Sequence, residues 1–308
     1  MKPLVLNAHA KINLYLRVLR KRKDGYHDIE TLFERISLHD EIILSSAGDG
    51  KIHLDCLGVG AYRDTPLLSS GPENLCYRAA EQFRKKFGIE EGIRIQLVKK
   101  IPIAAGLGGG SSDAATVLSG LNQWWKVEAS HQELLDLGGC IGADVPFFLM
   151  GKRRTIGKGR GDIFVGAGLK PAPTRIFYLI ATPQVSVLTR DVYESWDQLN
   201  GLTPLPKNDT MNPLTETEPC SCEAPPKFSV LKGEAEWGND LEPVVVQKYQ
   251  RVREFADHVR GLGLSKIRLS GSGPTFFTEL QNQEDGDRWA QKIRAVYPNC
   301  QVHCVEGY

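Results

Sequence analysis

Apolar and polar residues alternate through the early chain. From Ala10, the positions Ile12, Leu14, Leu16 and Val18 recur at every second residue, the period of a strand with one face on a core. Lys11, Asn13, Tyr15 and Arg17 fall on the opposite face, which sets Lys11 and Asn13 side by side. On spacing alone this is a surface strand carrying a solvated lysine. Lys21-Arg-Lys-Asp-Gly25 then predicts a hairpin turn, with Asp-Gly as its signal. Further strand patterns follow at 30–38, 41–45 and 51–56. Pro72-Glu-Asn-Leu75 opens a helix to about residue 87, stopped by Gly88. Ile93, Ile95 and Leu97 alternate again, and Ala114, Ala115, Val117, Leu118 and Leu121 recur at helical spacing. Ser130-His-Gln-Glu133 is a capping-box pattern, and the helix it starts is expected to end at Gly138-Gly139.

The later chain reads as a second unit. A strand at 176–181 and a helix at 191–199 precede a stretch, 201–227, rich in Pro, Thr, Asn and Glu. That stretch has no apolar period and predicts a long mobile loop. Gly168-Leu-Lys-Pro-Ala-Pro173 reads as a connection. A helix at 241–260, a strand at 267–270, a turn at Gly271-Ser-Gly-Pro274, a return strand at 275–280, a helix at 287–295 and a strand at 301–305 complete the chain. With one extra helix set aside, the order is β-α-β-β-α-β, which is ferredoxin-like.

Between the strand at 93–97 and the helix after it lies Ile101-Pro-Ile-Ala-Ala-Gly-Leu-Gly-Gly-Gly-Ser-Ser112. Gly106, Gly108, Gly109 and Gly110 carry no Cβ, so their backbone N–H groups can converge on an anion. Ser111 and Ser112 stand where the helix begins, and its unpaired N–H groups and dipole favour phosphate. The bland alternative is a tight turn with serine capping the helix. Two other phosphate motifs fail on spacing. There is no G-x-x-x-x-G-K-[ST], and Ser111 stands where the last glycine of G-x-G-x-x-G belongs. In Ile141-Gly-Ala-Asp-Val-Pro-Phe-Phe-Leu149, Asp144 is a lone carboxylate against an apolar run. It must be paired or hydrogen-bonded, and a helix cap or buried ion pair explains it as well as catalysis does. Tyr26 and His27, at the hairpin exit, are either rim residues or a base-stacking pair. The segment 151–162 holds five basic residues among glycines and reads as a solvated turn near the domain junction.

Composition narrows the class. At 308 residues the chain suits about two domains. A net charge of +1 gives no support for nucleic acid or an acidic membrane surface as partner. Asn7, His9, Lys11 and Asn13 interrupt any apolar run near the start, and no run is long enough to span a bilayer. Seven scattered cysteines read as reduced thiols in a cytoplasm. Cys220-x-Cys222, and Cys300-x-x-x-Cys304 with His303, lack further metal ligands at a recognisable spacing, so no protein metal site is expected.

The glycine loop resembles that of the GHMP kinases, and Gly106-Leu-Gly-Gly-Gly-Ser-Ser-Asp113 most resembles the branch acting on a diphosphocytidyl alcohol. Ala10-Lys-Ile-Asn-Leu14, Asp24-Gly-Tyr-His27, Gly142-Ala-Asp-Val-Pro-Phe-Phe148, Asn239-Asp-Leu-Glu-Pro243 and Leu269-Ser-Gly-Ser-Gly273 follow in the family's order. The resemblance runs from Ala10 to about Leu280. It implies an α+β, two-domain GHMP kinase fold. Residues 1–165 would be ribosomal protein S5 domain 2-like and ATP-binding, and 166–308 ferredoxin-like, with the site in the cleft between them. It implies ATP as phosphate donor, Mg2+, and a small-molecule acceptor carrying a cytidine diphosphate group, phosphorylated on its 2-hydroxyl in isoprenoid precursor synthesis.

Carried across by motif, Lys11 and Asp144 are the catalytic pair. Asp144 would accept the hydroxyl proton, while Lys11 would hold substrate and developing charge. Pro102, Ile103, Ala104, Ala105, Gly106, Leu107, Gly108, Gly109, Gly110, Ser111 and Ser112 would hold ATP, with Asn74 and Lys99 near its base. Asn13, Tyr26, His27, Thr189 and Tyr193 would bind the acceptor, with Tyr193 stacked opposite Tyr26 across the cytosine. Mg2+ would be held mainly by ATP oxygens and water, with the Ser112 hydroxyl. The chain departs from the family in places. Ala104-Ala105 stand where relatives often have glycines, implying a stiffer approach to the loop, and Arg153 replaces a small residue. Two other readings stay open: a GHMP kinase for another alcohol, such as homoserine or a mevalonate phosphate, and a silent ATP-binding regulator on the same fold.

Overall fold

The early alternation folds as β1 (Leu4–Lys21), paired antiparallel along nearly its whole length with β2 (His27–Ala47). The computed structural model describes residues 2–58, 68–165, 175–201 and 238–308. The stretches 168–173 and 202–227, and Cys220-x-Cys222, lie outside the described residues. So does the junction after residue 165. β2 merges two strands expected separately: Asp40, between them, is buried and paired with Lys99 rather than set in a turn.

β3 (Ile52–Gly58), β4 (Gly92–Lys99), β5 (Arg154–Lys158) and β6 (Ile163–Val165) complete a first sheet ordered β3-β4-β2-β5-β6, with β1 also on β2. One face carries α1 (Leu75–Phe87), α2 (Gly109–Trp125), α3 (His131–Ile141) and α4 (Val145–Leu149) over a core that includes Phe83, Leu118 and Phe147. Gly88 ends α1 at φ +64. The Ser130–Glu133 capping box forms with both reciprocal bonds. α3 runs past Gly138-Gly139 to Ile141, a correction with a packing cause. A Cβ on Gly138 would stand 2.7 Å from Leu149 Cδ1, so this glycine lets α3 approach the α4 segment.

The second sheet contains β7 (Phe177–Thr182), β8 (Arg268–Leu269), β9 (Phe276–Leu280) and β10 (Gln301–Glu306) in the order β10-β7-β9-β8, all antiparallel. In chain order these strands sit 4-1-3-2, the ferredoxin-like arrangement. Around them are α5 (Thr189–Leu199), α6 (Glu242–Lys248), α7 (Gln250–Gly261) and α8 (Gln283–Val296). The helix expected over 241–260 is two helices, broken where Tyr249 takes an extended backbone at φ −109, ψ 91. No described helix is long and apolar enough to cross a membrane.

The two units share a third core. Ala10, Ile12, Leu14, Tyr15 and Leu107 of the first meet Tyr178, Ile180 and Phe277 of the second. This corrects the expectation for β1. Spacing alone puts Lys11, Asn13 and Tyr15 on a solvated face, yet they are 4%, 3% and 2% exposed. Register shifts at His9/Lys11 and Asn13/Tyr15 break the strict alternation, and the loop after β4 and the turn after β8 lie against this stretch of β1. A lysine buried there is held by partners, and those partners form the site.

Candidate active site

The glycine loop connects β4 to α2 in a cleft between the two units. Ile101, Ala105 and Leu107 point into the shared core, and Pro102 is buried beside them. Ile103, Ala104 and Gly106 alternate with them and leave backbone toward the outside. Ala104 adopts φ +51, a left-handed conformation that strains a residue with a Cβ by about 1–2 kcal/mol. The stiffer approach expected from Ala104-Ala105 thus has a backbone basis. At Gly106, φ +75, an added Cβ would collide with the Ser270 carbonyl. At Gly108, φ +67, it would stand 3.0 Å from both Lys11 Cγ and Phe148 Cζ. The loop is therefore clamped between the turn after β8 and the lysine stem.

Gly108, not a serine, is the N-cap of α2, and no side chain caps this end. Ser111 and Ser112 lie inside the first turn. Ser112 N–H donates to the Gly108 carbonyl at 2.9 Å, so the N–H groups of Gly109, Gly110 and Ser111 have no acceptor within the helix. Three such groups at the positive end of a 17-residue helix are the arrangement that favours an anion. The capping alternative for the serines does not describe this loop.

Lys11 and Asp144 meet at the edge of that site. Lys11 Nζ is 3.6 Å from Asp144 Oδ2 and donates to Asn13 Oδ1 at 2.7 Å. Asn13 Nδ2 in turn donates to Thr31 Oγ1 at 2.8 Å, which fixes the amide. The Lys11 ammonium lies 5.4 Å from the Phe33 ring centre, and its backbone N–H donates to the Leu107 carbonyl at 3.0 Å. Asp144 precedes α4 yet makes no capping bond, so the helix-cap alternative is excluded. Its side chain is 30% exposed, against 6% for Lys11, so the carboxylate is the accessible member.

The turn Leu269-Ser-Gly-Ser-Gly273 ties the second unit to this pair. Ser270 Oγ donates to the Gly106 carbonyl at 3.0 Å and accepts from Asn13 N–H at 3.3 Å. Asn239 Nδ2 donates to the Leu269 and Gly271 carbonyls, and Glu242 accepts from Leu269 N–H and Arg260. The Asn239–Pro243 motif therefore holds the turn rather than a ligand. Arg153 and Arg154 both pair with the fully buried Glu34. That accounts for Arg153 and makes this part of the basic segment structural.

The two residues expected near the ATP base both have partners within the fold. Lys99 is 3% exposed, lies under Gly109, and pairs with Asp40 and, at 2.8 Å, with Asp113. Asp40 also accepts the N–H groups of Lys100 and Ile101 at 2.5 and 2.8 Å. Lys99 thus braces both ends of the loop from below, and its ammonium does not face the cleft. Asn74 is the N-cap of α1: Oδ1 accepts from Cys76 N–H at 2.9 Å, and Nδ2 donates to the Ser69 carbonyl. Burial raises the Asp113 carboxyl to about 8, opposed by the Lys99 charge and assisted by that of Asp40.

The residues expected to bind the acceptor lie along β1–β2 and α5. Tyr193 stacks on His27, with ring centres 4.8 Å apart and planes at 24°. Tyr26 is 56% exposed, and the Arg160 guanidinium lies over its ring at 5.3 Å. Tyr193 thus pairs with the histidine in the structure as it stands. Burial and the nearby Asp144 charge raise the Tyr193 hydroxyl above its ordinary range, which links this wall to the carboxylate. Thr189 Oγ1 bonds Ser272 Oγ at 2.8 Å. Asp197, not anticipated from the sequence, accepts from His27 Nε2 at 2.6 Å and from Lys21 Nζ at 2.6 Å. Its signal was available: Thr189, Tyr193 and Asp197 recur every four residues, so one face of α5 carries all three.

The GHMP kinases N terminal domain matches residues 74–152, and the GHMP kinases C terminal matches 231–299. The chain is 36% identical over 295 residues to the 4-diphosphocytidyl-2-C-methyl-D-erythritol kinase of Geobacter metallireducens, covering 95% of each. It is 35% identical over 303 residues to that of Moorella thermoacetica, covering 97% of each. A crystal structure of 4-(cytidine 5'-diphospho)-2C-methyl-D-erythritol kinase aligns with a TM-score of 0.72 at 28% identity, over 99% of this chain and 100% of that one. A homoserine kinase from Cytophaga hutchinsonii aligns at TM-score 0.61 and 18% identity, over 100% and 95%, a likeness of fold alone.

Proposed function

Because the chain belongs to the 4-diphosphocytidyl-2-C-methyl-D-erythritol kinases, within the GHMP kinases, we propose that Lys11 and Asp144 are the residues with which it carries out phosphoryl transfer. The enzyme moves a phosphoryl group from ATP to the 2-hydroxyl of 4-diphosphocytidyl-2-C-methyl-D-erythritol, in the methylerythritol phosphate route to isoprenoid precursors. The observation that supports the pair is its position, a carboxylate and an ammonium 3.6 Å apart beside a helix end with three N–H groups unpaired within the helix.

In this reading the backbone from Gly106 to Ser112 holds the phosphate tail of ATP, and Asp144 accepts the proton of the attacking hydroxyl. Lys11, steadied by Asn13, offsets negative charge on the transferring group. Such transfer depends mostly on positioning and electrostatics, which suits a lysine whose ammonium is held by Asn13, Asp144 and the Phe33 face. Tyr26, His27, Thr189 and Tyr193 form the wall for the cytidine end of the acceptor.

Magnesium belongs to the same proposal. No three His, Cys, Asp or Glu side chains converge among the described residues. The donors near the loop are Asp144 and the hydroxyls of Ser111 and Ser112. That set fits an ion carried mainly by phosphate oxygens and water, with Asp144 and Ser112 as the protein's contribution. When bound, the ion neutralises charge on the phosphates.

Asp144→Asn tests the assignment. ATP affinity, measured by calorimetry, is expected to stay within about threefold of wild type while single-turnover phosphorylation falls by at least about 100-fold. Normal turnover by this variant would remove the proposed base.

A further inference from the structure

We propose that Asp197 is a positioning residue of the acceptor site, fixing the proton arrangement of His27 so that the ring offers a bare nitrogen to an exocyclic amino group. The proposal rests on the reading of His27 as the residue that meets the base, and it goes further by naming what makes that residue selective.

The geometry begins on α5. Tyr193, Trp196 and Asp197 occupy positions i, i+3 and i+4, one face of the helix. All three converge on His27. Tyr193 stacks on the imidazole, Trp196 meets it edge-on at 5.8 Å, and Asp197 Oδ1 lies 2.6 Å from Nε2. His27 and Asp197 are 7% and 3% exposed. The second Asp197 oxygen lies 2.6 Å from Lys21 Nζ at the end of β1. The carboxylate therefore has a cation of its own, and its bond to the ring sets orientation and tautomer.

A carboxylate only accepts, so Nε2 must carry the hydrogen. In the neutral ring Nδ1 is then an acceptor with no hydrogen. Nδ1 has no hydrogen bond among the described residues, and it is not one of the sealed polar atoms left unsatisfied by the fold. A bare ring nitrogen accepts a hydrogen bond from an amino group, as at C4 of cytosine. Against a carbonyl at the same place, as in uracil, two lone pairs face each other. A site built around a specific hydrogen bond rejects an analogue that cannot make it far more strongly than a site built on shape. Stacking against Tyr193 and Trp196 keeps the ring from turning to present its other nitrogen.

The test uses the full-length enzyme, Mg-ATP, and two acceptors differing only in base, the diphosphocytidyl and diphosphouridyl alcohols, at pH about 8, above the ordinary histidine range. Nitrogen NMR of the wild-type protein is expected to show His27 with its hydrogen on Nε2. Wild type is expected to favour the cytidine acceptor in kcat/KM by at least about 100-fold. In Asp197→Ala that preference should fall by at least about tenfold. The loss should fall on KM for the acceptor rather than on kcat, with KM for ATP unmoved, and Asp197→Asn should fall between the two proteins. A wild-type His27 with its hydrogen on Nδ1 overturns the proposal without any variant, as does a folded Asp197→Ala that keeps the full preference. In both cases a wild type that still prefers cytidine leaves the reading of the acceptor intact. A wild type indifferent to the base overturns the role of His27 as base reader, and that of Asp197 with it.

Discussion

Replacing Lys99 with methionine separates two roles for the same residue. The family resemblance sets Lys99 beside the ATP base, whereas its ammonium lies sealed between Asp40 and Asp113 under Gly109. Methionine keeps most of the stem volume and removes the charge. Removing one member of a buried ion pair typically costs about 3–5 kcal/mol, because the remaining charge is stranded without water. Asp113 reduces this cost. Burial already pushes its carboxyl upward against the Lys99 charge, and losing that charge pushes it further, so Asp113 is left neutral and the variant strands chiefly Asp40. Asp40 also keeps the N–H bonds from Lys100 and Ile101. The expected loss is therefore at the lower end, about 3 kcal/mol. Urea unfolding of Lys99→Met against wild type measures it, with equal slopes required for the comparison. ATP affinity should fall as well, since both ends of the loop lose their brace. A variant within about 0.5 kcal/mol of wild type in stability, with KM for ATP raised, would refute the brace and restore the base contact.

Three further outcomes follow from the same geometry. Asp113 holds its proton up to about pH 8 when folded but only to about 4 when unfolded, so the folded state binds the extra proton between those values. Stability should decline as pH rises from about 4 to 8, and Asp113→Asn should lack that slope. His9, lowered to about 4 chiefly by burial, acts in the opposite sense below about 6.5, so the difference between the two proteins is the quantity to measure. Asn74→Ala removes the α1 cap and should cost about 1 kcal/mol in urea unfolding; a variant as stable as wild type would show the cap to be unimportant. Gly106→Ala adds about 1–2 kcal/mol of backbone strain and a collision with the Ser270 carbonyl. It should lower kcat by about 100-fold through displacement of the loop, and near-normal kinetics would mean the clamp is looser than the contacts imply.

The elements were legible where period and punctuation agreed. β4, the helix after the glycine loop, the Gly88 stop and the Ser130–Glu133 box all formed as read. Local signals failed where tertiary contacts decide. Gly138 looks like a stop but is a packing contact, and nothing in 241–260 marks the break at Tyr249. Lys11 reads as a solvated lysine because its burial depends on residues 96 and 259 positions away, Leu107 and Ser270, that close over β1. Lys99 and Asn74 show what a motif match leaves out. A position can match a family motif while its side chain serves the loop or a helix end. Asp197 was missed because a carboxylate on an amphipathic helix has no local mark of its partner, and His27 lies 170 residues earlier.

Acceptor choice tests the central claim most directly. Purified enzyme with Mg-ATP should be offered the diphosphocytidyl alcohol, methylerythritol phosphate, homoserine and mevalonate, with the product located by phosphorus NMR. The expected result is a single product, the diphosphocytidyl alcohol phosphorylated on its 2-hydroxyl. Phosphorylation of homoserine or mevalonate with the diphosphocytidyl alcohol untouched would contradict the account.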